Sequence, residues 1–242
     1  LPRGFDLLVN PYPILPTHFT IPAHEHKPQL VLDSYSEIFH ILESYPELLV
    51  FYNGPKCGAS CPDHLHIQAG ASGIVPMQTQ WARLSRSLNV IYSNTDNEDI
   101  SIIQDYVCPA ILIRSHSEKT FRQLFKLVYN ALPLQSDDTE PMLNILAWRN
   151  GTETLVVVIP RKNHRPACYT NNEEIEGYMI SPGALDIAGL IITPREKDFV
   201  AIDSKNVVDI LKEVCLNDDE MSEVIKSISN QYKSDDTEIK MQ

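Results

Sequence analysis

Apolar residues follow two kinds of pattern along this chain. Some form short runs, such as Val156-Val157-Val158-Ile159, whose β-branched side chains favour a strand. Others recur at helical spacing, as Phe121, Leu124, Phe125 and Val128 do at i, i+3, i+4 and i+7. Strands are predicted at 5–9, 18–22, 48–52, 63–70, 90–93, 110–114, 142–149, 154–160 and 187–193. Helices are predicted at 34–45, 117–132, 204–215 and 218–232.

A polar, loop-like segment at 136–141 divides these elements into two groups. It predicts one half at residues 1–135, a second half with closing helices at 142–232, and a loose tail at 233–242. An internal similarity between Asp6–Pro28 and Asn144–Pro166, each reading strand, turn, strand and a polar corner, suggests a duplicated half-fold. The predicted fold class is α+β, an antiparallel sheet with helices packed against one face.

Composition narrows the classes of function. The net charge of −12 and the pI near 5.0 argue against binding to a nucleic acid polymer, which requires a basic surface. Any phosphate ligand would therefore need local donors. No apolar run reaches 18 residues, so no membrane span is predicted. The five cysteines are sparse and odd in number, which indicates a reducing, cytoplasmic setting. Because the chain opens at Leu1 without Met or a signal pattern and enters a strand-like run within ten residues, we expect it to lack an N-terminal segment.

The segment His64-Leu65-His66-Ile67-Gln68 carries the candidate chemistry. On a strand, His64, His66 and Gln68 would share one face. A neutral His66 imidazole can attack an α-phosphate and hold the nucleotidyl group, while His64 and Gln68 donate to its oxygens. Either a backbone carbonyl or His26 would fix the tautomer of His66. On its own, the alternating pattern is more typical of a solvated or metal-binding histidine pair, and the residues around it reverse that preference.

The loop before this strand, Asn53 to Pro62, offers small residues whose backbone N–H groups can approach an anion. Cys57 and Cys61 within it are either two reduced thiols or metal ligands. A structural zinc would need His64 or cysteines from a missing N-terminal segment, and no other cofactor is indicated. Three basic residues are candidates for phosphate contacts, although each is equally typical of solvated surface: Lys56, Arg161 and Lys162.

The motif resembles the histidine-triad (HIT) superfamily, in the nucleotidyltransferase branch where Gln replaces the third histidine of the hydrolases. Pro16-Thr17-His18-Phe19-Thr20-Ile21-Pro22, followed by His26, is similar to the strand and histidine that support the triad. Gly58-Ala59-Ser60 resembles the phosphate-contacting Gly-x-Ser of the uridylyltransferases. Ser181–Gly189 and Arg195–Phe199 are similar to the C-terminal part of GDP-hexose phosphorylases, and the combination resembles the bacterial DUF4922 family.

This resemblance implies a HIT-like α+β fold built from two HIT-like halves, and a catalytic set of His66, His64, Gln68 and His26. It implies a ribose contact near Asn10 and phosphate contacts at Asn53, Gly58 and Ser60. The implied activity is a nucleotidyltransferase or phosphorylase acting on a nucleoside diphosphate sugar or dinucleotide, with phosphate or a sugar phosphate as acceptor. A dinucleoside polyphosphate hydrolase and a non-catalytic nucleotide-binding module are the alternatives. A monomer and a homodimer are both compatible with the sequence.

Overall fold

The computed structural model describes residues 2–239, with side chains described through residue 232. Its strands form one antiparallel sheet in the order β1-β2-β4-β3-β8-β9-β7-β6-β5. The strands are β1 (Leu8–Val9), β2 (His18–Pro22), β3 (Leu48–Asn53), β4 (His66–Ala71), β5 (Leu88–Ser93), β6 (Asp99–Ile103), β7 (Ile111–Ser115), β8 (Leu143–Asn150) and β9 (Glu153–Pro160). The α+β prediction with an antiparallel sheet is confirmed.

Helices cover both faces of the sheet, whereas the sequence predicts them on one. The helices are α1 (Ser36–Ser44), α2 (Pro76–Thr79), α3 (Trp81–Leu84), α4 (Glu118–Ala131), α5 (Ala184–Ile187), α6 (Glu196–Ala201), α7 (Ser204–Val214) and α8 (Asp218–Ile239). Apolar residues of α1, α4 and α8 pack in one core, and those of α2, α3, α5 and α7 pack in a second core on the other face. Both faces need covers because central strands such as β9 are buried throughout.

The order of strands contains a repeat. The unit β1-β2-α1-β3-β4 recurs as β6-β7-α4-β8-β9, and the two units join where β3 pairs with β8. The similarity read from the sequence equates β1-β2 with β8-β9 and is therefore out of phase with this repeat. Segment 136–141 was predicted to divide the chain into two halves, but strands from both sides of it form one continuous sheet.

Some elements differ from prediction for local reasons. The predicted strand at 187–193 is absent, because Ile187 ends α5 and the backbone N–H of Ile192 donates to the buried carboxylate of Asp186. The backbone of 233–239 continues α8 where a loose tail is predicted, and 240–242 lie outside the described residues. No helix among the described residues is long and apolar enough to cross a membrane.

Candidate active site

Strand β4 presents the candidate site. It lies between β2 and β3, with Gln68 opposite Thr20 and Phe51. Because strand side chains alternate, His66 and Gln68 share the face away from Ile67, which packs with α1 and α4. The strand begins at His66, so His64 precedes it rather than extending the same face as predicted.

The His66 ring is held in one tautomer. Its Nδ1 lies 2.9 Å from the backbone carbonyl oxygen of His64, which can only accept, so Nδ1 carries the proton. Nε2 therefore holds a lone pair, and it is buried without a hydrogen-bond partner among the described residues. Burial lowers the pKa of His66, so the ring is neutral near pH 7. These are the properties of an imidazole nucleophile.

The backbone of His66 is fixed by a residue that the sequence analysis did not single out. The side-chain oxygen of Gln29 accepts the His66 N–H at 2.8 Å, and its amide nitrogen donates to the His66 carbonyl at 3.0 Å. The same nitrogen donates to the carbonyl of Asn53 at 2.9 Å, so Gln29 bridges β3 and β4 where their ladder ends. Gln29 lies in a polar segment after β2, and nothing in the sequence around it indicates this role.

Gln68 is also oriented by a neighbour. His18 on β2 accepts the backbone N–H of Ile14 at Nδ1 (3.1 Å), which leaves the proton on Nε2. This N–H donates to the Gln68 carbonyl oxygen at 2.9 Å. The amide NH₂ of Gln68 therefore remains as a donor beside the cavity. His18 belongs to the segment Pro16–Pro22 that resembles the strand supporting the triad. Only the pairing of β2 with β4 shows that its partner is Gln68.

His64 and His26 are placed away from the His66 nitrogens. His64 Nε2 lies 2.7 Å from the carbonyl oxygen of Ala23, and the His26 ring packs 4.9 Å from the His64 ring. His26 Nε2 lies 3.3 Å from the Asp63 carboxylate at an exposed position. Of the two supports predicted for His66, the structure has the carbonyl and not His26.

A cavity of about 460 Å³ lies beside Gln68. This volume falls in the range of small-molecule ligand sites. Its first-half lining includes five predicted or motif residues, namely Asn10, His18, Asn53, Gly58 and Ser60. Residues from 165–194 close the other side, including Arg165, Tyr169, Ser181 and Gly183. The His66 ring is not part of the lining; it lies two residues, about 7 Å, from Gln68 along the strand.

Two glycines let the walls of the cavity meet. Gly58 has φ +95, and a Cβ there would lie 2.9 Å from Gly183 Cα. A Cβ on Gly183 would lie 3.2 Å from the Asn53 side-chain oxygen. Asp186 holds this corner by accepting the N–H of Gly183 at 2.9 Å, and burial raises the pKa of Asp186 to about 6. The backbone of the Gly58 loop therefore faces the cavity closely.

Arg161 lies behind the cavity wall and is 1 % exposed. Its five N–H donors are all used: Nε and one terminal nitrogen donate to Val214, Pro182 and the Asn144 side chain, and the other donates to the carbonyls of Asn163 and His164. Asn144 in turn donates to the Asn53 side chain at 2.8 Å. A phosphate contact by Arg161, as predicted, would require breaking one of these bonds, so the structure gives it a positioning role.

The two predicted lysines lie outside the cavity lining. Lys56 forms an ion pair with Asp138, and Lys162 lies 3.3 Å from the Glu220 carboxylate on α8. Asn10 does line the cavity, where its side chain donates to Thr20 Oγ1 at 3.2 Å and accepts the N–H of Tyr12.

The described residues do not form a metal site by themselves. They contain no group of three or more His, Cys, Asp or Glu side chains arranged to hold a metal ion. Cys57 is buried, which raises its thiol pKa to about 12, and the Cys61 thiol lies 3.1 Å from the Asp63 carboxylate, which also raises its pKa. Both are therefore protonated thiols in this chain, and a zinc that needs further ligands stays a prediction.

Solved structures share this fold. Yeast Ap4A phosphorylase Apa2 in complex with Ap4A is 19% identical, with a TM-score of 0.60 over 88% of this chain and 74% of that chain. The same yeast protein in complex with AMP is 22% identical, with a TM-score of 0.58 over 87% and 72%. A DUF4931 family protein from Bacillus cereus ATCC 10987 is 14% identical, with a TM-score of 0.50 over 66% and 83%.

The chain thus shares its fold with Ap4A phosphorylase, and two family models match its sequence. Residues 2–71 match the family described as "Domain of unknown function (DUF4922)". Residues 84–235, more than half of the chain, match the family described as "GDPGP1-like, C-terminal domain", and the chain belongs to that family. A search of curated proteins gave no match.

Proposed function

We propose that this protein is a nucleotidyltransferase of the phosphorylase type, acting on a nucleoside diphosphate sugar or a dinucleotide through His66. The observation that carries the proposal is the buried Nε2 of His66, which carries no proton and has no hydrogen-bond partner among the described residues. The proton of the neutral ring lies on Nδ1, which donates to a backbone carbonyl. The family assignment and the fold shared with Ap4A phosphorylase support the same class of reaction.

In the first half-reaction, the lone pair of His66 Nε2 attacks the α-phosphorus. The bond from that phosphorus to the bridging oxygen breaks, and the leaving phosphate departs with the electron pair. The resulting imidazolium keeps its proton on Nδ1, which donates to the His64 carbonyl oxygen, and this hydrogen bond stabilises the positive charge. In this proposal the NH₂ of Gln68 and the backbone N–H groups of the Gly58 loop, both at the cavity, donate to phosphate oxygens.

In the second half-reaction, an acceptor oxygen attacks the same phosphorus. The P–N bond breaks, and its electron pair returns to Nε2, which regenerates the neutral ring. Inorganic phosphate as acceptor gives a nucleoside diphosphate. Gln68 lacks an ionisable proton, which favours transfer to phosphate over proton removal from water.

The test is to incubate the chain with GDP-glucose, UDP-glucose or Ap4A, with and without phosphate, and to record intact mass and products. We expect a nucleotidyl adduct mapped to His66 and phosphate-dependent release of nucleotide. His66→Asn should lower turnover at least about 1000-fold, as loss of a nucleophile does in other enzymes. The matched control is His40→Asn, on the exposed surface of α1, which should retain activity.

Other outcomes separate the alternatives. Nucleotide release that needs no phosphate would identify a hydrolase. Equal nucleotide affinity in wild type and His66→Asn, with neither adduct nor turnover, would contradict the proposal in favour of a binding module.

A further inference from the structure

We propose that Arg165 binds the phosphate group of the acceptor, so that inorganic phosphate or a sugar phosphate is held by a guanidinium on the far wall of the cavity. This inference rests on the proposed function, since it assigns the second substrate of the same site. It transfers the phosphate contact predicted for Arg161 to the arginine four residues later.

The Arg165 guanidinium is oriented but not saturated. Its Nε donates to Ser181 Oγ at 3.2 Å, and its plane lies over the Tyr169 ring at 4.0 Å. The part of the chain that the structure describes provides no acceptor for the four terminal N–H donors. All three residues line the cavity. A planar guanidinium fixed on one edge, with its other edge open, can bind two oxygens of a phosphate at once.

The buried Arg161 builds the backbone that carries Arg165. Its second terminal nitrogen donates to the carbonyls of Asn163 (3.1 Å) and His164 (3.2 Å), directly before Arg165. Its first terminal nitrogen donates to the carbonyl of Pro182 at 2.9 Å, directly after Ser181. One guanidinium therefore ties together the two segments that orient the other.

The charges around the cavity favour an anion at Arg165. Among the described residues that line the cavity, Arg165 is the only arginine or lysine, and Asp186 is the only acidic residue. The two Asp186 oxygens accept the N–H groups of Gly183 and Ile192, so this carboxylate is already occupied. Burial lowers the pKa of His164, and the nearby cations Arg165, Arg161 and Lys56 lower it further, so Arg165 has other positive charges close to it in an acidic protein.

The role in the reaction is electrostatic. The acceptor phosphate carries two negative charges at neutral pH and must approach an α-phosphate that is itself anionic. Arg165 offsets that repulsion and orients one phosphate oxygen toward the phosphorus bound to His66. No proton or electron moves through Arg165, since the P–N bond breaks as the new P–O bond forms.

The experiment measures the two half-reactions separately in wild type, Arg165→Gln, Arg165→Lys and the control Arg122→Gln, which changes an exposed arginine of α4. Adduct formation is followed by intact mass without phosphate. Adduct consumption is then followed against the concentration of inorganic phosphate or of a hexose 1-phosphate. Arg165→Gln should form the adduct within about threefold of the wild-type rate and raise the half-saturating phosphate concentration at least about tenfold. Arg165→Lys should recover part of the loss, and Arg122→Gln should match wild type.

The two acceptors distinguish the source of the phosphate group, because the true acceptor saturates at the lower concentration. An unchanged dependence on both acceptors in Arg165→Gln overturns the proposal. If wild type forms no adduct, the proposed function fails on its own, and calorimetric titration with inorganic phosphate then tests the phosphate site. Binding by wild type that is weakened in Arg165→Gln supports the site. Absence of binding, or equal binding by the two proteins, overturns it.

Discussion

At the scale of single residues, the protonation state of His66 sets the expected pH dependence of the reaction. Burial lowers its pKa below the ordinary histidine value, and only the neutral ring can attack phosphorus. The midpoint of the fall in the rate of adduct formation at low pH should therefore lie below about pH 6.5, the ordinary histidine value. Single-turnover rates measured by intact mass across a series of pH values test the expectation. A midpoint above about pH 6.5 in both wild type and the His40→Asn control would contradict a neutral buried nucleophile.

A second residue-scale prediction concerns Glu140, whose buried carboxyl pKa is raised to about 7 by desolvation. Its two oxygens lie 2.6 Å from the N–H of Val31 and 2.7 Å from the Tyr52 hydroxyl, and that hydroxyl also lies 3.0 Å from the carbonyl of Gln29. One hydroxyl proton cannot serve both acceptors fully. A protonated Glu140 resolves this by donating to Tyr52, which then donates to Gln29.

The sign of the pH effect follows. The pKa of Glu140 is higher in the folded state than in the unfolded state, so between these two pKa values the folded state holds a proton that the unfolded state has lost. The stabilisation from protonated Glu140 is therefore complete below about pH 4.5 and is lost as the pH rises to above 7. Glu140→Gln mimics the protonated acid and should be more stable than wild type at about pH 8, by up to about 3 kcal/mol, with little difference at about pH 5. Denaturant unfolding at both pH values measures the difference in the free energy of unfolding. The control is Glu118→Gln, which changes an exposed carboxylate of α4. A less stable variant at pH 8 would contradict the assignment.

The sequence singled out His66 and Gln68 as candidates but not the residues that orient them. His66 and Gln68 are recognisable because their spacing places them on one face of a strand. Gln29 and Asn144 act through bonds to distant segments, His66 and Asn53 respectively, and no local pattern encodes such contacts. The basic cluster 161–165 is visible in the sequence, yet which of its arginines is buried depends on the tertiary fold.

At the scale of elements, the close approach of the Gly58 loop to Gly183 shapes the cavity. Gly58→Ala should lower the free energy of unfolding by about 2–4 kcal/mol and weaken nucleotide binding, because it adds a backbone clash to the strain of a positive φ. Gly73→Ala is the matched control: φ is +78 there, but a Cβ meets nothing within 4 Å. It should lose only about 1 kcal/mol. Chemical denaturation and nucleotide titration provide both readouts, and equal losses in the two variants would rule out the steric contribution.

Elements with a strong apolar period were predictable, whereas weakly patterned ones were not. Helix α4 and strand β9 agree with their predictions because each pattern matches the burial of the element. Strand β6 was missed, since its residues are fully buried but Asp99 and Ser101 interrupt the apolar run. The predicted strand at 187–193 was wrong because an apolar run says nothing about the Asp186 bonds that shape it.

At the scale of the whole molecule, the two repeated units share one sheet. Strand β3 pairs with β8 over five residue pairs, from Leu49 opposite Trp148 to Asn53 opposite Asn144. The sequence indicated a duplicated half-fold, but the phase of the repeat depends on which strands become neighbours, and that is a long-range property. The join also brings Asn53 and Asn144 together, so the cavity requires both units.

This continuity predicts how the chain unfolds. Trp81, from the range 1–135, packs edge-on at 5.5 Å against Trp148, from the range 142–232, in the core that faces the cavity. If the predicted ranges were independent domains, tryptophan fluorescence and far-UV circular dichroism would report separate transitions. Because both ranges contribute neighbouring strands to one sheet, we expect the two signals to change at the same denaturant concentration. As a further check, Trp81→Phe should lower the midpoint of both signals equally, since removing contacts at a shared core destabilises both units; a shift confined to one signal would show that the halves unfold independently.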